Sequence, residues 1–160
     1  MKIAIACDHR GYEAKRHLLP TLRKMGHDVE DFGCHSSSSV DYPDFALPVA
    51  KLVAQGKKDV GVLMDGSGIG MSIVANKVLG VRAALVHDEL TARRSREHNH
   101  CNVLCLGTDL LSEAQIHKIV EIFLSTPFGD GRHARRTAKV TEIEQANLAH
   151  PKARAKGEPV

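Results

Sequence analysis

Short apolar segments alternate with longer amphipathic segments along most of the chain. Apolar segments bounded by glycine or acidic residues are typical of strands, and apolar residues at helical spacing are typical of helices. The predicted strands are residues 2–7, 28–32, 59–64, 81–86 and 102–106. The predicted helices are residues 11–25, 42–55, 72–78, 88–98 and 112–124. This alternation predicts an α/β fold with a parallel sheet and helices on both of its faces.

The pattern changes after residue 124. A loop rich in glycine and proline is predicted at 125–131, and a long polar helix at 132–149, with Val140 and Ile143 as its apolar positions. No strand is predicted after this helix, so it is free to pack against a partner subunit. We expect one domain over residues 1–149 and disorder in the terminal residues 150–160.

The composition narrows the class of protein. Of 160 residues, 42% are hydrophobic and 26% charged, which is typical of a soluble globular domain. The absence of tryptophan and a net charge of only +3 argue against a nucleic-acid partner. No apolar segment approaches the roughly 20 residues that cross a membrane, and the first segment is predicted to be a strand and not a signal peptide. The four cysteines lack Cys-x-x-Cys spacing, so we expect reduced thiols and a cytoplasmic location.

The third predicted strand is followed by Asp65 and a glycine-rich loop, Gly66-Ser67-Gly68-Ile69-Gly70. Glycines let backbone N–H groups approach a ligand closely, and the N-terminus of the next helix attracts anions. The spacing matches neither the G-x-G-x-x-G dinucleotide motif nor a Walker loop. The segment predicts a site for an anionic small molecule beside a carboxylate that can transfer protons. A tight connection without a ligand is the alternative interpretation.

Polar residues follow four of the predicted strands directly. They are Asp8-His9, Asp65-Gly66-Ser67, His87-Asp88 and Gly107-Thr108-Asp109. The carboxyl ends of parallel strands share one edge of a sheet, where open α/β proteins bind ligands. We therefore expect these loops to form one site, with Asp88 serving as a helix cap.

Several candidate residues have two interpretations. Asp65 is a general base or a helix-capping acid, and Ser67 donates a hydrogen bond to a substrate oxygen or caps the turn. His98, at the end of a predicted helix, is functional or only a partner of the helix dipole. Arg132 and Arg136, four residues apart, clamp a phosphate or form a solvated basic face. The histidines and cysteines between 98 and 105 lack zinc-ligand spacing, so no metal is expected.

Six short motifs occur in order along the chain. They are Cys7-Asp8-His9-Arg10-Gly11-Tyr12, Asp41-Tyr42-Pro43, Gly66-Ser67-Gly68-Ile69-Gly70, Ala75-Asn76-Lys77, Ser95-Arg96-Glu97-His98-Asn99 and Gly131-Arg132-His133. In this combination the chain resembles the ribose-5-phosphate isomerase B family, which also contains the galactose-6-phosphate isomerase subunits. The similarity extends from residue 2 to about residue 145.

The resemblance implies a three-layer αβα sandwich, Rossmann-like, with a five-stranded parallel sheet. It implies a homodimer, with dimers that can pair into tetramers, whose active sites lie at the subunit interface and use no metal or organic cofactor. The reaction it implies interconverts an aldose phosphate and a ketose phosphate through a cis-enediolate. D-ribose 5-phosphate, an intermediate of the pentose phosphate pathway, is the expected substrate.

The resemblance also implies roles for individual residues. Asp8 and His9 contact the sugar and its phosphate, and Ser67 donates or transfers a proton at the sugar oxygens. His98 reaches in from the other subunit, with Asn99, and opens the sugar ring together with Asp8. The other residues that we assign to substrate binding are Tyr42, Gly66, Gly68, Gly70, Ser72, Arg132 and Arg136, of which the two arginines hold the phosphate and the glycine-loop amides stabilise the enediolate.

Two departures from the family pattern bear on the chemistry. Many members carry a proton-abstracting cysteine directly before the glycine loop, and others use a glutamate where this chain has Met71; here Asp65 takes the cysteine's place. We expect Asp65 to shuttle the proton between C1 and C2, as a glutamate does in triosephosphate isomerase. Many members have an arginine where this chain has Asp109. An isomerase of a tetrose or hexose phosphate, or a non-catalytic sugar-phosphate-binding protein, is therefore the alternative.

Overall fold

The computed structural model describes residues 1–149. Its strands are β1 (Lys2–Cys7), β2 (Asp28–Asp31), β3 (Val60–Asp65), β4 (Ala83–Leu85) and β5 (Val103–Gly107). Its helices are α1 (Tyr12–Lys24), α2 (Tyr42–Ala54), α3 (Ile69–Ala75), α4 (Glu89–Glu97), α5 (Glu113–Ser125) and α6 (Arg132–Ala149). Apart from α3 and the shorter β4, each predicted element is correct to within one residue at either end. The predicted disorder of residues 150–160 lies outside the described residues.

The strands form one parallel sheet in the order β2-β1-β3-β5-β4. Alternate residues of a strand face opposite sides of a sheet, so Ile3 and Ile5 pack in one core layer while Ala4 and Ala6 pack in the other. Helices α1, α4 and α5 cover the first face, and α2 and α3 cover the second. This is the predicted three-layer α/β architecture with a five-stranded parallel sheet.

Helix α3 begins earlier than predicted, at residue 69 instead of 72. Its first turn is closed by a side chain from outside the helix, because Asp65 Oδ2 accepts a hydrogen bond from Met71 N at 3.1 Å. It ends early because Asn76 Nδ2 donates to the carbonyls of Ser72 and Ala83, each at 2.9 Å. The predicted range of 72–78 was therefore wrong, since hydrogen bonds of the Asp65 and Asn76 side chains, and not the apolar pattern, mark both ends.

Helices α4 and α5 have the caps that their sequences indicate. Asp88 Oδ1 accepts from Thr91 N at 2.7 Å, and Ser112 Oγ accepts from Gln115 N at 3.4 Å. Both helices have a complete capping box. Hydrogen bonds from Thr91 lower the pKa of the Asp88 carboxyl below its ordinary value. The prediction that Asp88 caps a helix is confirmed, and no catalytic role is needed to explain it.

Helix α6 follows the last sheet-packing helix and lies beside the edge strand β4. Glu144 Oε1 accepts from Gly80 N at 3.0 Å and connects the helix to the segment before β4. Val140 and Ile143, the two apolar positions noted in the sequence, are 51% and 62% exposed. Within residues 1–149, no helix combines the length and the apolar character that a membrane crossing requires.

Candidate active site

Three of the four predicted loops are hydrogen-bonded to one another at the carboxyl edge of the sheet. Asp8 N donates to Met64 O at 3.0 Å, Thr108 N to Asp65 O at 2.9 Å, and Asp109 N to Gly66 O at 3.0 Å. The loops after β1 and β5 therefore flank the glycine loop after β3. The fourth loop, after the edge strand β4, supplies the cap of α4.

The Asp65 carboxylate is buried and held by backbone N–H groups. Oδ1 accepts hydrogen bonds from Ser67 N and Gly68 N, and Oδ2 accepts one from Met71 N. Asp65 therefore has the helix-capping role that the sequence left open. Oδ2, with one partner, keeps a lone pair that a proton can use.

Gly70 lies between Asp65 and the ring of Tyr42. A Cβ atom on Gly70 would lie 2.9 Å from two ring atoms of Tyr42 and 3.2 Å from Asp65 Oδ2. The Tyr42 ring and the carboxylate therefore leave no room for a side chain at this position. The N–H of Gly70 is in the first turn of α3, where N–H groups have no acceptor within the helix. Among the residues that the structure describes, it has no other hydrogen-bond acceptor either. It is free to bind a ligand oxygen.

Two serine hydroxyls stabilise the glycine loop itself. Ser67 Oγ accepts from Ile69 N at 3.2 Å, and Ser72 Oγ donates to Ile69 O at 2.8 Å. Gly68 has φ +78°, and a Cβ there would overlap Leu85 Cδ1 and approach Gly107 N to 3.1 Å. The loop therefore packs against β4 and β5 in a way that only glycine allows at this position. The turn-capping interpretation of Ser67 is the one that the geometry shows.

Asp8 and His9 lie beside the glycine loop. Asp8 Oδ1 accepts from Arg10 N at 2.9 Å and from Gly11 N at 3.1 Å. Asp8 Oδ2 lies 4.0 Å from His9 Nδ1. His9 Nδ1 accepts from Val40 N at 3.3 Å, so the neutral ring carries its proton on Nε2 and can donate it to a ligand.

Arg10 and Asp109 form an ion pair across the mouth of the glycine loop. Arg10 Nε donates to Asp109 Oδ2 at 2.8 Å, and Arg10 Nη2 lies 2.6 Å from the same oxygen. A Cβ on Gly66 would come within 2.8 Å of Arg10 Nε and 2.7 Å of Asp109 Oδ2. The pair therefore lies directly on the backbone of the loop. The hydrogen bond to Asp109 and the charge of its carboxylate raise the pKa of Arg10.

A second cluster of predicted residues lies where α4 ends against α6. The rings of His98 and His133 are stacked with centroids 4.1 Å apart. A cleft of about 250 Å³ is lined by His98, Asn99, His133, Arg136, Thr137 and Val140. Arg132 is exposed at the start of α6 but does not line this cleft. Desolvation, and then the charges of His98 and the neighbouring arginines, lower the pKa of His133, which favours its neutral form.

The two clusters lie at opposite edges of the sheet. Asp65 is at the carboxyl end of β3, whereas His98 follows α4 and precedes β5. Arg82, just before β4, donates through Nε to the backbone oxygen of Asn99 at 3.0 Å, which places His98 at the amino edge. The five residues of β5 alone separate the edges by roughly 15 Å. One chain therefore does not bring His98 to Asp65.

Two contacts in these clusters were missed by the sequence reasoning. Arg10 was quoted only as part of a motif. Its partner Asp109 was noted in a strand-end loop and as the residue that replaces an arginine of other family members, but not as a partner of Arg10. A signal was available, because opposite charges follow two strands whose loops were expected to meet. His133 was passed over between the arginines, and its stacking on His98 depends on how α6 packs. Within residues 1–149, no three His, Cys, Asp or Glu side chains are grouped so that they could hold a metal ion.

Comparison with known proteins places these features in a family. The model of the Ribose/Galactose Isomerase family matches residues 3–140. Ribose-5-phosphate isomerase B of Escherichia coli (strain K12) is 40% identical over 144 residues, which cover 90% of this chain and 97% of that protein. The structure of ribose-5-phosphate isomerase B from Clostridium thermocellum has a TM-score of 0.89 and 47% identity, covering 91% of this chain and 99% of that one. The structure of ribose-5-phosphate isomerase B from Mycoplasma genitalium, with ribulose 5-phosphate bound, has a TM-score of 0.87 and 41% identity. It covers 90% of this chain and 96% of that one.

Proposed function

Because this chain belongs to the ribose/galactose isomerase family and is an aldose–ketose isomerase of sugar phosphates, we propose that it converts D-ribose 5-phosphate to D-ribulose 5-phosphate. The observation that carries this proposal is the Asp65 carboxylate held beside Gly70, which has no side chain and a free N–H. That arrangement offers a base and an oxygen-binding donor to one small substrate. Similarity to an enzyme with ribulose 5-phosphate bound supports the choice of pentose.

The proposed chemistry is a proton transfer between adjacent carbons. Asp65 Oδ2 takes the proton from C2 of the open-chain aldose, and the electron pair forms the C1–C2 double bond of a cis-enediolate. The proton then returns to C1, the carbonyl forms at C2, and the proton of the C2 hydroxyl moves to O1. Oδ2 suits this role because it has a single backbone partner and lies next to the backbone of Gly70, which carries no side chain. General-base catalysis of this kind contributes about 10²–10⁴-fold.

The negative charge of the enediolate needs a fixed donor. Three loop amides are already bound to Asp65, namely those of Ser67, Gly68 and Met71. Of the amides assigned to this role, that of Gly70 is the one in the first turn of α3 without an acceptor in the described residues. We therefore assign the enediolate oxygen to Gly70 N–H, where the helix dipole adds to the attraction.

We further propose that the enzyme acts as a homodimer that joins the two clusters. His98 and Asn99 of one protomer complete the site formed by Asp8 and Asp65 of its partner, and His98 assists ring opening. Exposed apolar side chains occur on both halves: Ile69 and Ile73 on α3 are each 53% exposed, and α6 carries Val140, which lines the cleft, and the exposed Ile143. A two-fold axis would bury both patches and create two equal sites.

The phosphate is held by hydrogen-bond donors of both protomers. His9 donates through Nε2 from the carboxyl edge, and Arg136 lines the cleft of the amino edge. Arg132, one turn earlier on the same helix face, completes the clamp. Guanidinium groups suit this role because they bind phosphate through paired hydrogen bonds.

The test is turnover of a panel of sugar phosphates by the purified protein. We expect ketose formation from D-ribose 5-phosphate to exceed that from tetrose and hexose phosphates. Activity restricted to another ester would overturn the assignment of the pentose while keeping the isomerase. Thermal stabilisation by these esters without any turnover would instead indicate a binding protein that has lost its base.

A further inference from the structure

We propose that Arg10 binds the phosphate group of the substrate and that Asp109 is the positioning residue that holds it there. The inference rests on the proposed function, because it deepens the substrate recognition of the same site. It starts from the ion pair across the glycine loop, which joins residues 99 positions apart in the sequence.

The guanidinium of Arg10 lies beside the glycine loop of the candidate site. Arg10 directly follows His9, the residue assigned to the phosphate, and its side chain lies against the backbone of Gly66. Thr108 Oγ1 donates to Arg10 O at 3.2 Å and lies 3.1 Å from Asp65 O, which connects the backbone of Arg10 to that of the candidate base. The cation is therefore anchored at both its backbone and its side chain beside the site.

The guanidinium of Arg10 keeps N–H donors that no described residue accepts. A guanidinium has five N–H groups, and Asp109 accepts through a single oxygen that Nε and Nη2 approach. The N–H groups of Nη1 and the second one of Nη2 have no partner among the described residues. A bound phosphate offers several acceptor oxygens to such a fork.

The ion pair between Arg10 and Asp109 contributes little to the stability of the fold. The side chains of Arg10 and Asp109 are 56% and 43% exposed, and an exposed ion pair contributes little to the stability of a fold. A carboxylate alone at the mouth of an anion site would repel the phosphate. Paired with Arg10, it is neutralised and fixes the rotamer of a long side chain, which lowers the entropy cost of binding.

The chain contains a matched control for this pair. Arg16 donates to Glu13 Oε2 through Nε at 2.9 Å and through Nη2 at 2.7 Å. This pair is also exposed, but it lies along α1 and joins no loops of the site. Arg16→Ala therefore removes an equivalent ion pair without touching the substrate.

The experiment measures inorganic phosphate binding by calorimetry, together with KM and kcat for the sugar phosphate. Arg10→Ala should raise both the phosphate Kd and KM about tenfold, as expected for the loss of one charge-assisted contact. Its kcat should change far less than KM. Arg10→Lys keeps the charge but not the paired N–H donors of a guanidinium. Its phosphate Kd and its KM should lie between those of the wild type and those of Arg10→Ala. Arg16→Ala should match the wild type in every quantity.

Asp109→Ala distinguishes positioning from simple structural support. In the wild-type background it should weaken phosphate binding, because Arg10 loses its anchor. In the Arg10→Ala background the same change should strengthen binding, because it removes an unpaired negative charge. If the ion pair only held the two loops together, Asp109→Ala would not have opposite effects on phosphate binding in the two backgrounds.

The outcomes separate this inference from the proposed function. Unchanged phosphate binding and KM in folded Arg10→Ala and Arg10→Lys overturn the role of Arg10, as does a wild type that binds no phosphate. A wild type that binds phosphate through Arg10 but does not isomerise ribose 5-phosphate supports the role of Arg10 and overturns the choice of substrate. Thermal unfolding of each variant establishes that it is folded.

Discussion

The two edges of the sheet present opposite kinds of chemistry. At the carboxyl edge, Asp8 and Asp65 are buried carboxylates whose oxygens are bound by backbone N–H groups. At the amino edge, the arginines of α6 and the stacked His98 are held mainly by side-chain packing and are half-buried or exposed. In the proposed function the first edge supplies the base for proton transfer, and the second supplies arginines that bind the phosphate.

The comparison also explains why neither edge suffices alone. The proposed base Asp65 and His9 lie at the carboxyl edge, whereas His98 and Arg136, proposed for ring opening and phosphate binding, lie at the amino edge. The charges of the two edges are complementary, which favours pairing of unlike edges in a symmetric dimer. The resemblance predicts this sharing of residues between subunits, and within one chain the two clusters lie at opposite edges of the sheet.

The largest effect is expected at the carboxyl edge. Asp65→Asn should lower kcat by about 10³-fold with little change in KM, because an amide cannot accept the C2 proton. Loss of exchange of the C2 hydrogen with solvent should parallel the loss of kcat. Asp88→Asn, at a second amide-bound aspartate outside the site, is the control and should keep its kcat. Near-normal turnover in Asp65→Asn would remove Asp65 as the base.

Joining the two edges is tested by mixing inactive variants. Asp65→Asn and His98→Ala homodimers should each be nearly inactive, because each lacks one half of both sites. Unfolding them together and refolding the mixture should restore about a quarter of wild-type activity, since half of the dimers are hybrids with one intact site. Refolding either variant alone is the control. A mixture that stays inactive would mean that the two residues do not act across subunits.

The rigidity of the carboxyl edge is tested at Gly68. Gly68→Ala should destabilise the protein by about 3 kcal/mol, because a positive φ and contacts with Leu85 and the β5 backbone both oppose a side chain. Gly26→Ala is the matched control, with φ +83° but no atom within 4 Å, and should lose only about 1 kcal/mol. Denaturant unfolding gives both values. Equal losses would show that the loop can move to accept the added methyl group.

At the amino edge we expect an effect on binding more than on chemistry. Arg136→Ala should raise KM for phosphorylated substrates about tenfold with a smaller change in kcat, because it removes a phosphate contact. Arg135→Ala changes the neighbouring exposed arginine, which does not line the cleft, and serves as the control. An unchanged KM in Arg136→Ala would contradict the clamp.

The smallest effect concerns pH. The pKa of His133 is lowered in the fold, so the unfolded chain binds a proton that the folded one resists. Stability should therefore fall as pH drops below about 6.5. His133→Phe keeps a ring on His98 but does not titrate, so its free energy of unfolding should fall less steeply between about pH 7.5 and about pH 5.5. His27 and His100, whose pKa values are also lowered, keep part of the slope in both proteins. An identical slope would show that His133 does not contribute.

Local patterns were enough to predict most of the fold. The strand bounds follow from apolar segments ended by glycine or acid, and the caps of α4 and α5 follow from Asp88 and Ser112. The same patterns placed Asp65 and the glycine loop at the carboxyl edge. These features depend on residues close in sequence, so their physical causes are visible in the sequence itself.

The tertiary structure alone decided which distant residues meet. Strand order placed β5 beside β3, and this brought Asp109 to Arg10 across the glycine loop. Packing of α6 placed His133 on His98. Each of these contacts joins residues whose separation or direction no local periodicity encodes, because its energy exists only after the layers have packed.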